Sequence, residues 1–225
     1  MREAGVGREL RVGGTTASWF QPGRLLTGSV WDALALPLCA LEEPAPRVLL
    51  LGLGGGSVAR LIRAASPGAH IVGVELSAAV VEAARSGMGL DALGVEVHVE
   101  DAQAFLARPG WYDLIIEDCF SGGPEGLTKP PWILGEGLGL MGDHLSPGGV
   151  FVVDTIHEPN AVRRRLRSSY RSLVRIELFD CTNQVFVATD KELDARGLRA
   201  KVRADAVLRD ALGNLTFRTV PAGPS

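Results

Sequence analysis

"LLLGLGGGSVARLI", residues 49–62, decides how this chain is read. An aliphatic run breaks into Gly52, Gly54, Gly55 and Gly56, then resumes with the spacing of a helix. A strand, a glycine corner and a helix in that order bring bare backbone N–H groups and a helix N-terminus to one edge of a sheet. A dinucleotide, a phosphate or a sulfonium nucleoside can approach closely there. A tight helix–strand crossing needs the same glycines, so the corner alone does not choose among these. The dinucleotide fingerprint wants Gly or Ala where Ser57 stands.

Outward from this corner, short aliphatic runs alternate with helical stretches. Strands are predicted over 47–52, 70–75, 95–100, 112–118 and 149–155. The last intervening helix, within 132–144, contains four glycines that lower its propensity. After a helix at 160–172, two β-rich runs, 172–180 and 183–190, are separated so briefly that they must form an antiparallel hairpin. The expected fold is α/β and Rossmann-like: a seven-stranded, mostly parallel sheet ending in an antiparallel hairpin. A small hairpin turning at Gly13-Gly14 and a helix over "SVWDALALPLCAL" precede it. The predicted layout is therefore an N-terminal hairpin and helix over 1–43, a Rossmann-like domain over 44–215 closing on a helix at about 191–212, and a flexible tail over 216–225.

Composition narrows the class. With 225 residues, 46% apolar and 22% charged, the chain can bury a full core. A formal charge of −3 gives no general attraction to nucleic acid, and the basic run Arg163–Arg167 reads as the solvated face of a helix. Cys39, Cys119 and Cys181 show no zinc or disulfide spacing, so no metal is expected and a reducing cytoplasm is. The N-terminus lacks the apolar core of a signal peptide, and no apolar run approaches the ~20 residues of a membrane span.

The chemistry collects at the carboxyl ends of the strands. Glu75 ends the second strand, with Leu76 beside it, where a carboxylate can accept both hydroxyls of a ribose. Asp101 and Ala102 follow the third strand, an acid-plus-small pair suited to an adenine: the carboxylate accepts the exocyclic amine and the next N–H reaches a ring nitrogen. Asp101 equally suits a helix N-cap, and both roles can coexist.

Four stretches in this order, "VLLLGLGGGSVARLI", "GVELSAAVVEAAR", "VHVEDAQAFL" and "WYDLIIEDCFSGGPEG", resemble the spermidine synthase-like branch of class I S-adenosylmethionine-dependent transferases. The resemblance runs from about Arg47 to Val153. It implies a nucleoside site built from Gly52, Gly54, Gly55, Gly56, Glu75, Leu76, Asp101, Ala102 and Asp118, and it implies a homodimer. Spermidine synthases read G-G-G-D-G in the first loop, the Asp holding the aminopropyl amine; Gly55 stands in its place. They read D-S/T-x-D-P after the fourth strand, the second Asp acting on the attacking amine. Here "DCFSG" keeps Asp118 and puts Ser121 where that acid belongs.

The expected function is therefore methyl transfer from S-adenosylmethionine to a small-molecule or protein acceptor. The alternatives are aminopropyl transfer from decarboxylated S-adenosylmethionine and a catalytically silent nucleoside-binding protein. Asp118 and Ser121 are the catalytic candidates. His157 is a second candidate base, and Trp19, Trp31 and Trp132 are candidate walls of an acceptor pocket, each with solvent exposure or core packing as the alternative reading. His70 and His98 read as structural. The segment from Asp118 to Trp132 is long enough to act as a lid.

Overall fold

The computed structural model describes residues 2–4, 7–123 and 126–221. An eight-stranded sheet forms its centre, built from β4 (Arg47–Leu51), β5 (His70–Glu75), β6 (Glu96–Val99), β7 (Tyr112–Glu117), β10 (Leu145–Thr155), β11 (Ser172–Leu178), β12 (Gln184–Thr189) and β13 (Leu215–Thr219). Their order is β13-β11-β12-β10-β7-β4-β5-β6. The run β10-β7-β4-β5-β6 is parallel, whereas β12, β11 and β13 pair antiparallel. Two small sheets lie outside it: β1 (Arg2–Ala4), β2 (Gly7–Val12) and β3 (Thr15–Phe20) at the N-terminus, and the hairpin β8 (Ser121–Gly123) with β9 (Gly126–Thr128) after β7.

Alternation along each strand divides the core into two layers. Val48, Leu50, Ile71, Leu114, Ile116, Val152, Val174 and Val187 face one side. There they meet α1 (Val30–Ala35), α2 (Ser57–Ala65), α3 (Ala78–Met88) and α7 (Ala195–Ala204) through Leu34, Leu61, Ile62, Val81 and Leu198. Leu49, Leu51, Val72, Ile115, Phe151, Val153 and Phe186 face the other side. They are covered by Phe105, Met141, Val162 and Leu166 of α4 (Ala102–Leu106), α5 (Leu138–Gly142) and α6 (Pro159–Ser169). A parallel strand with both faces covered has no polar side to show, which is why β4 reads as unbroken aliphatic sequence.

Three expectations change. The sheet has eight strands rather than seven, because 215–219 pairs with β11 along its outer edge, in register from Val174↔Thr219 to Leu178↔Leu215. The expected tail from 216 thus begins as an edge strand that satisfies β11's backbone groups; residues 222–225 lie outside the described ones. The helix expected over 191–212 stops at Ala204, and a 3-10 turn over Arg209–Asn214 leads into β13. The helix within 132–144 starts as a π-turn over Ile133–Gly137 before α5, the local irregularity its glycines allow. The N-terminal hairpin turns at Gly13-Gly14 as expected, with β1 as a third strand.

Because β4 pairs with β5 on one side and β7 on the other, chain direction through the sheet reverses at β4. The ends of β4, β5, β6, β7 and β10 then open onto a common crevice, the position where doubly wound sheets bind ligands. Phe186→Ala on β12, fully buried in the second layer, is expected to cost about 3–5 kcal/mol of unfolding free energy, read from urea denaturation.

Candidate functional site

The glycine corner is fixed by its neighbours. Gly52 has φ +87°, and a Cβ there would lie 2.5 Å from the Asp118 carbonyl oxygen, so β4 and β7 meet without room for a side chain. The Gly54 N–H donates to Glu75 Oε2 at 2.9 Å, and the Ser77 N–H donates to Oε1 at 3.0 Å. Two backbone donors thus hold the Glu75 carboxylate in place beside the crevice, with lone pairs left over. The Gly55 N–H donates to Ser18 Oγ of β3 at 2.6 Å. A Cβ on Gly55 would overlap the Met88 sulfur and come within 2.8 Å of Ser18 Cβ. The Ser57 hydroxyl, at the start of α2, bridges the N–H and C=O of Trp19, 3.0 Å from each. The N-terminal sheet is therefore tied to the glycine corner and roofs one side of the crevice.

A cavity of about 740 Å³ opens beneath that roof, within the ~300–1,000 Å³ typical of small-molecule sites. Of the residues singled out from sequence, it brings together Gly52, Gly54, Glu75, Leu76, Asp101, Ala102, Asp118 and Ser121, along with Trp19, Trp31 and Trp132. Gly55 and Gly56 do not line it; they pack against β3, α3 and the Leu90–Leu93 turn. Asp101 caps α4 by accepting the Ala104 N–H at 3.0 Å through Oδ1, which leaves Oδ2 available. Leu76 is 72% exposed, an apolar side chain standing at the rim. His157 is exposed and does not line the cavity, though its neighbour Ile156 does. His70 and His98 pair with Glu96 on β6.

The floor holds groups that sequence reading did not single out. Asp154, near the end of β10, is only 1% exposed, and its Oδ2 accepts from Asn183 Nδ2 at 2.6 Å. Its Oδ1 is buried with no donor facing it. Asp118 lies against it. Burial and the Asp154 carboxylate push Asp118 well above the ordinary carboxylate range. Burial likewise raises Asp154 to about 7, against the opposing pull of Lys129 and Asn183. Two carboxyls so placed share a proton rather than both ionising. The signal for Asp154 was present in "GVFVVDT": like Glu75, it is an acid ending a buried strand.

Behind the floor, Lys129 and Glu117 form a fully buried ion pair at 2.7 Å. Lys129 Nζ also donates to the Cys119 carbonyl at 3.2 Å and sits 3.9 Å from the Phe120 ring centre. Burial pulls the ammonium down, but Glu117 and Asp154 overcome it and hold Lys129 above its usual value. The pair pins the β8–β9 hairpin to the end of β7, so the segment expected to be a lid is anchored at its far end. Lys129→Met is expected to cost about 3–5 kcal/mol by stranding Glu117, with most of that recovered in Glu117→Gln/Lys129→Met, measured by urea unfolding. The raised Asp118 and Asp154 make the native state bind more protons than the unfolded one. Stability should therefore fall as pH rises from about 4 to about 7, a slope that Asp154→Asn reduces, read from unfolding midpoints across that range.

Comparison with known proteins follows this geometry. Residues 48–127 match the family model described as a methyltransferase domain. A probable polyamine aminopropyl transferase of Bifidobacterium longum (strain NCC 2705) is 34% identical over 132 residues, covering 57% of this chain but only 28% of that relative. A probable spermidine synthase from Corynebacterium glutamicum ATCC 13032 superposes with a TM-score of 0.72 at 18% identity, covering 95% of this chain and 83% of that one. Human methyltransferase-like protein 13, solved in complex with SAH, superposes with a TM-score of 0.67 at 22% identity, covering 87% and 95%. Residues 48–127 are thus similar to a methyltransferase domain, and the α/β fold of the chain is shared with a probable spermidine synthase and a methyltransferase-like protein.

Proposed function

We propose that this chain binds S-adenosylmethionine and transfers its methyl group to a small-molecule or protein acceptor. In this reading Glu75, already oriented by the Gly54 and Ser77 N–H groups, accepts the ribose hydroxyls. Asp101 Oδ2 accepts the adenine amine. Ala102, which opens α4, turns a first-turn N–H with no intrahelical acceptor toward a ring nitrogen. Leu76 covers one face of the base. Asp118 on the floor takes an amino group, and Ser121 at the mouth positions the acceptor.

The sulfonium supplies an already activated leaving group, so the protein's own work is alignment and exclusion of water. Trp19, Trp31 and Trp132 wall the cavity and supply that exclusion. Their faces also attract a positive sulfur.

The observation that carries methyl over aminopropyl transfer is Gly55. In spermidine synthases that position bears the Asp holding the aminopropyl amine. Here a Cβ would overlap Met88 and crowd Ser18, and Ser18 Oγ already takes the Gly55 N–H. The acid is missing and its place is filled.

One observation favours aminopropyl transfer. Among the described residues, no Lys, Arg or His lines the cavity, and the corner's N–H groups at Gly52, Leu53, Gly54, Gly55 and Gly56 all have acceptors within the protein. A methionine carboxylate would find only neutral donors, such as the hydroxyls of Thr15, Thr16 and Ser29 and the indole N–H groups of Trp19, Trp31 and Trp132. A relative sharing about half of this chain is itself named a polyamine aminopropyl transferase.

Calorimetric titration with S-adenosylmethionine, its decarboxylated form and methylthioadenosine decides between them. Tighter binding of the carboxylated nucleoside is expected; a preference for the decarboxylated one transfers the assignment to aminopropyl chemistry, and no binding by any of the three leaves a silent scaffold. Glu75→Ala should weaken all three by roughly 10- to 100-fold through loss of charge-assisted hydrogen bonds, with the thermal midpoint checking that the fold persists.

A further inference from the structure

The floor of the cavity has an excess of negative charge. Asp118 and Asp154 meet there, and Glu117 lies behind them with one cation, Lys129. Lys129 is committed to Glu117 at 2.7 Å and to the Cys119 carbonyl. With every group ionised the cluster would carry two uncompensated charges in a buried place, an expensive arrangement. One shared proton removes one of them. The other calls for a cation from outside.

The position of Asp154 says where that cation sits. Its Oδ2 is occupied by Asn183, which fixes the side-chain rotamer. Its Oδ1 is buried without a hydrogen-bond partner, and its side chain meets that of Asp118 where both residues line the cavity. Asn183 is in turn an acceptor for the Cys181 thiol at 2.7 Å, so it is held from behind. The groups facing Asp154 from its surroundings are Asp118 and Glu117 of β7 and its end, Lys129 after β9, and Cys181 and Asn183 before β12, with the Thr155 backbone beside it. None of these can give Oδ1 a free positive donor.

We propose that Asp154 is a substrate-binding residue which, together with Asp118, grips one protonated amine of the ligand and holds the proton that amine must lose. It supplies from β10 the second acid that the loop lacks at Ser121. An ammonium placed between the two carboxyls gives Oδ1 its missing donor and displaces the shared proton. For an acceptor amine, one N–H proton passes to the pair. The freed lone pair forms the new N–C bond, while the electrons of the breaking C–S bond stay on sulfur, leaving a neutral thioether. This inference rests on the transferase reading for its chemistry but not for its binding step.

The test is titration of n-butylamine and 1,4-diaminobutane, with n-butanol as the uncharged control, into protein with and without saturating methylthioadenosine. Both amines should bind and butanol should not. Binding at pH 7, repeated in buffers of different ionisation enthalpy, should release up to about one proton. Asp154→Asn keeps the shape and the Asn183 contact of the side chain; it should weaken the amines roughly tenfold or more and abolish the proton release, while leaving methylthioadenosine affinity unchanged. Butanol binding as tightly as butylamine, no amine binding by the wild-type protein, or amine affinity indifferent to Asp154→Asn each overturns the proposal. Asp154-dependent amine binding in a protein that ignores methylthioadenosine would keep this inference and defeat the nucleoside reading instead.

Discussion

The site depends on one close approach of backbone to backbone. At Gly52 the chain leaving β4 passes the carbonyl of Asp118 so tightly that a Cβ would sit 2.5 Å from it. That contact sets the ends of β4 and β7 side by side. The two N–H groups that follow then reach in different directions, Gly54 to the carboxylate on β5 and Gly55 to the hydroxyl on β3. A side chain at either crowded position would push apart β4, β7 and the N-terminal sheet. The cavity is the space those elements enclose, so its shape is set by what the corner lacks.

The N-terminal sheet matters for the same reason. A hairpin of this size is marginal by itself. Here β3 gains a hydroxyl bridge from Ser57 and the Gly55 bond. On its other side β2 packs Leu10 against Val80 and Met88 of α3, and Arg8 donates to the Gly87 carbonyl at 2.7 Å. The roof is thus docked on the element that follows Glu75. The same Met88 and Ser18 that secure it fill the space beside Gly55. The docking of the roof thus leaves no room for a side chain at Gly55.

Much of this was legible in the sequence because the physics was local. Strand positions followed from aliphatic runs that must be buried on both faces. Glu75 stood out because a carboxylate at the end of a buried strand has few other purposes, and Asp101 because an acid followed by a small residue opens the helix after β6. The eighth strand was not legible: Leu215–Thr219 is short and half-polar, and only pairing with β11 makes it a strand. Lys129 and Glu117 were not legible either, since a buried ion pair between residues twelve apart depends on how a loop folds back. Asp154 was visible in its strand, but its partner Asp118 belongs to a neighbouring one, and one-dimensional spacing does not report which strands are neighbours.

Charge is what distinguishes this crevice from a generic nucleoside pocket. The Asp118–Asp154 pair on the floor, backed by the Lys129–Glu117 ion pair behind it, repels an anion and welcomes a cation, whatever lies above it. The losses at Gly55 and Ser121 suggest a relative that has given up amine recognition. The floor adds a different observation, since Asp154 of β10 lies in contact with Asp118. Loop acids can be replaced as the loop changes, but an acid on a central strand, held by Asn183 and enclosed by two core layers, has few ways to move. The carboxyls that would meet a positive charge thus stand at the ends of central strands rather than on the loop after β7. Such a site selects its ligand by fixed geometry rather than by closure, because every group that sets the charge is already in place before anything binds.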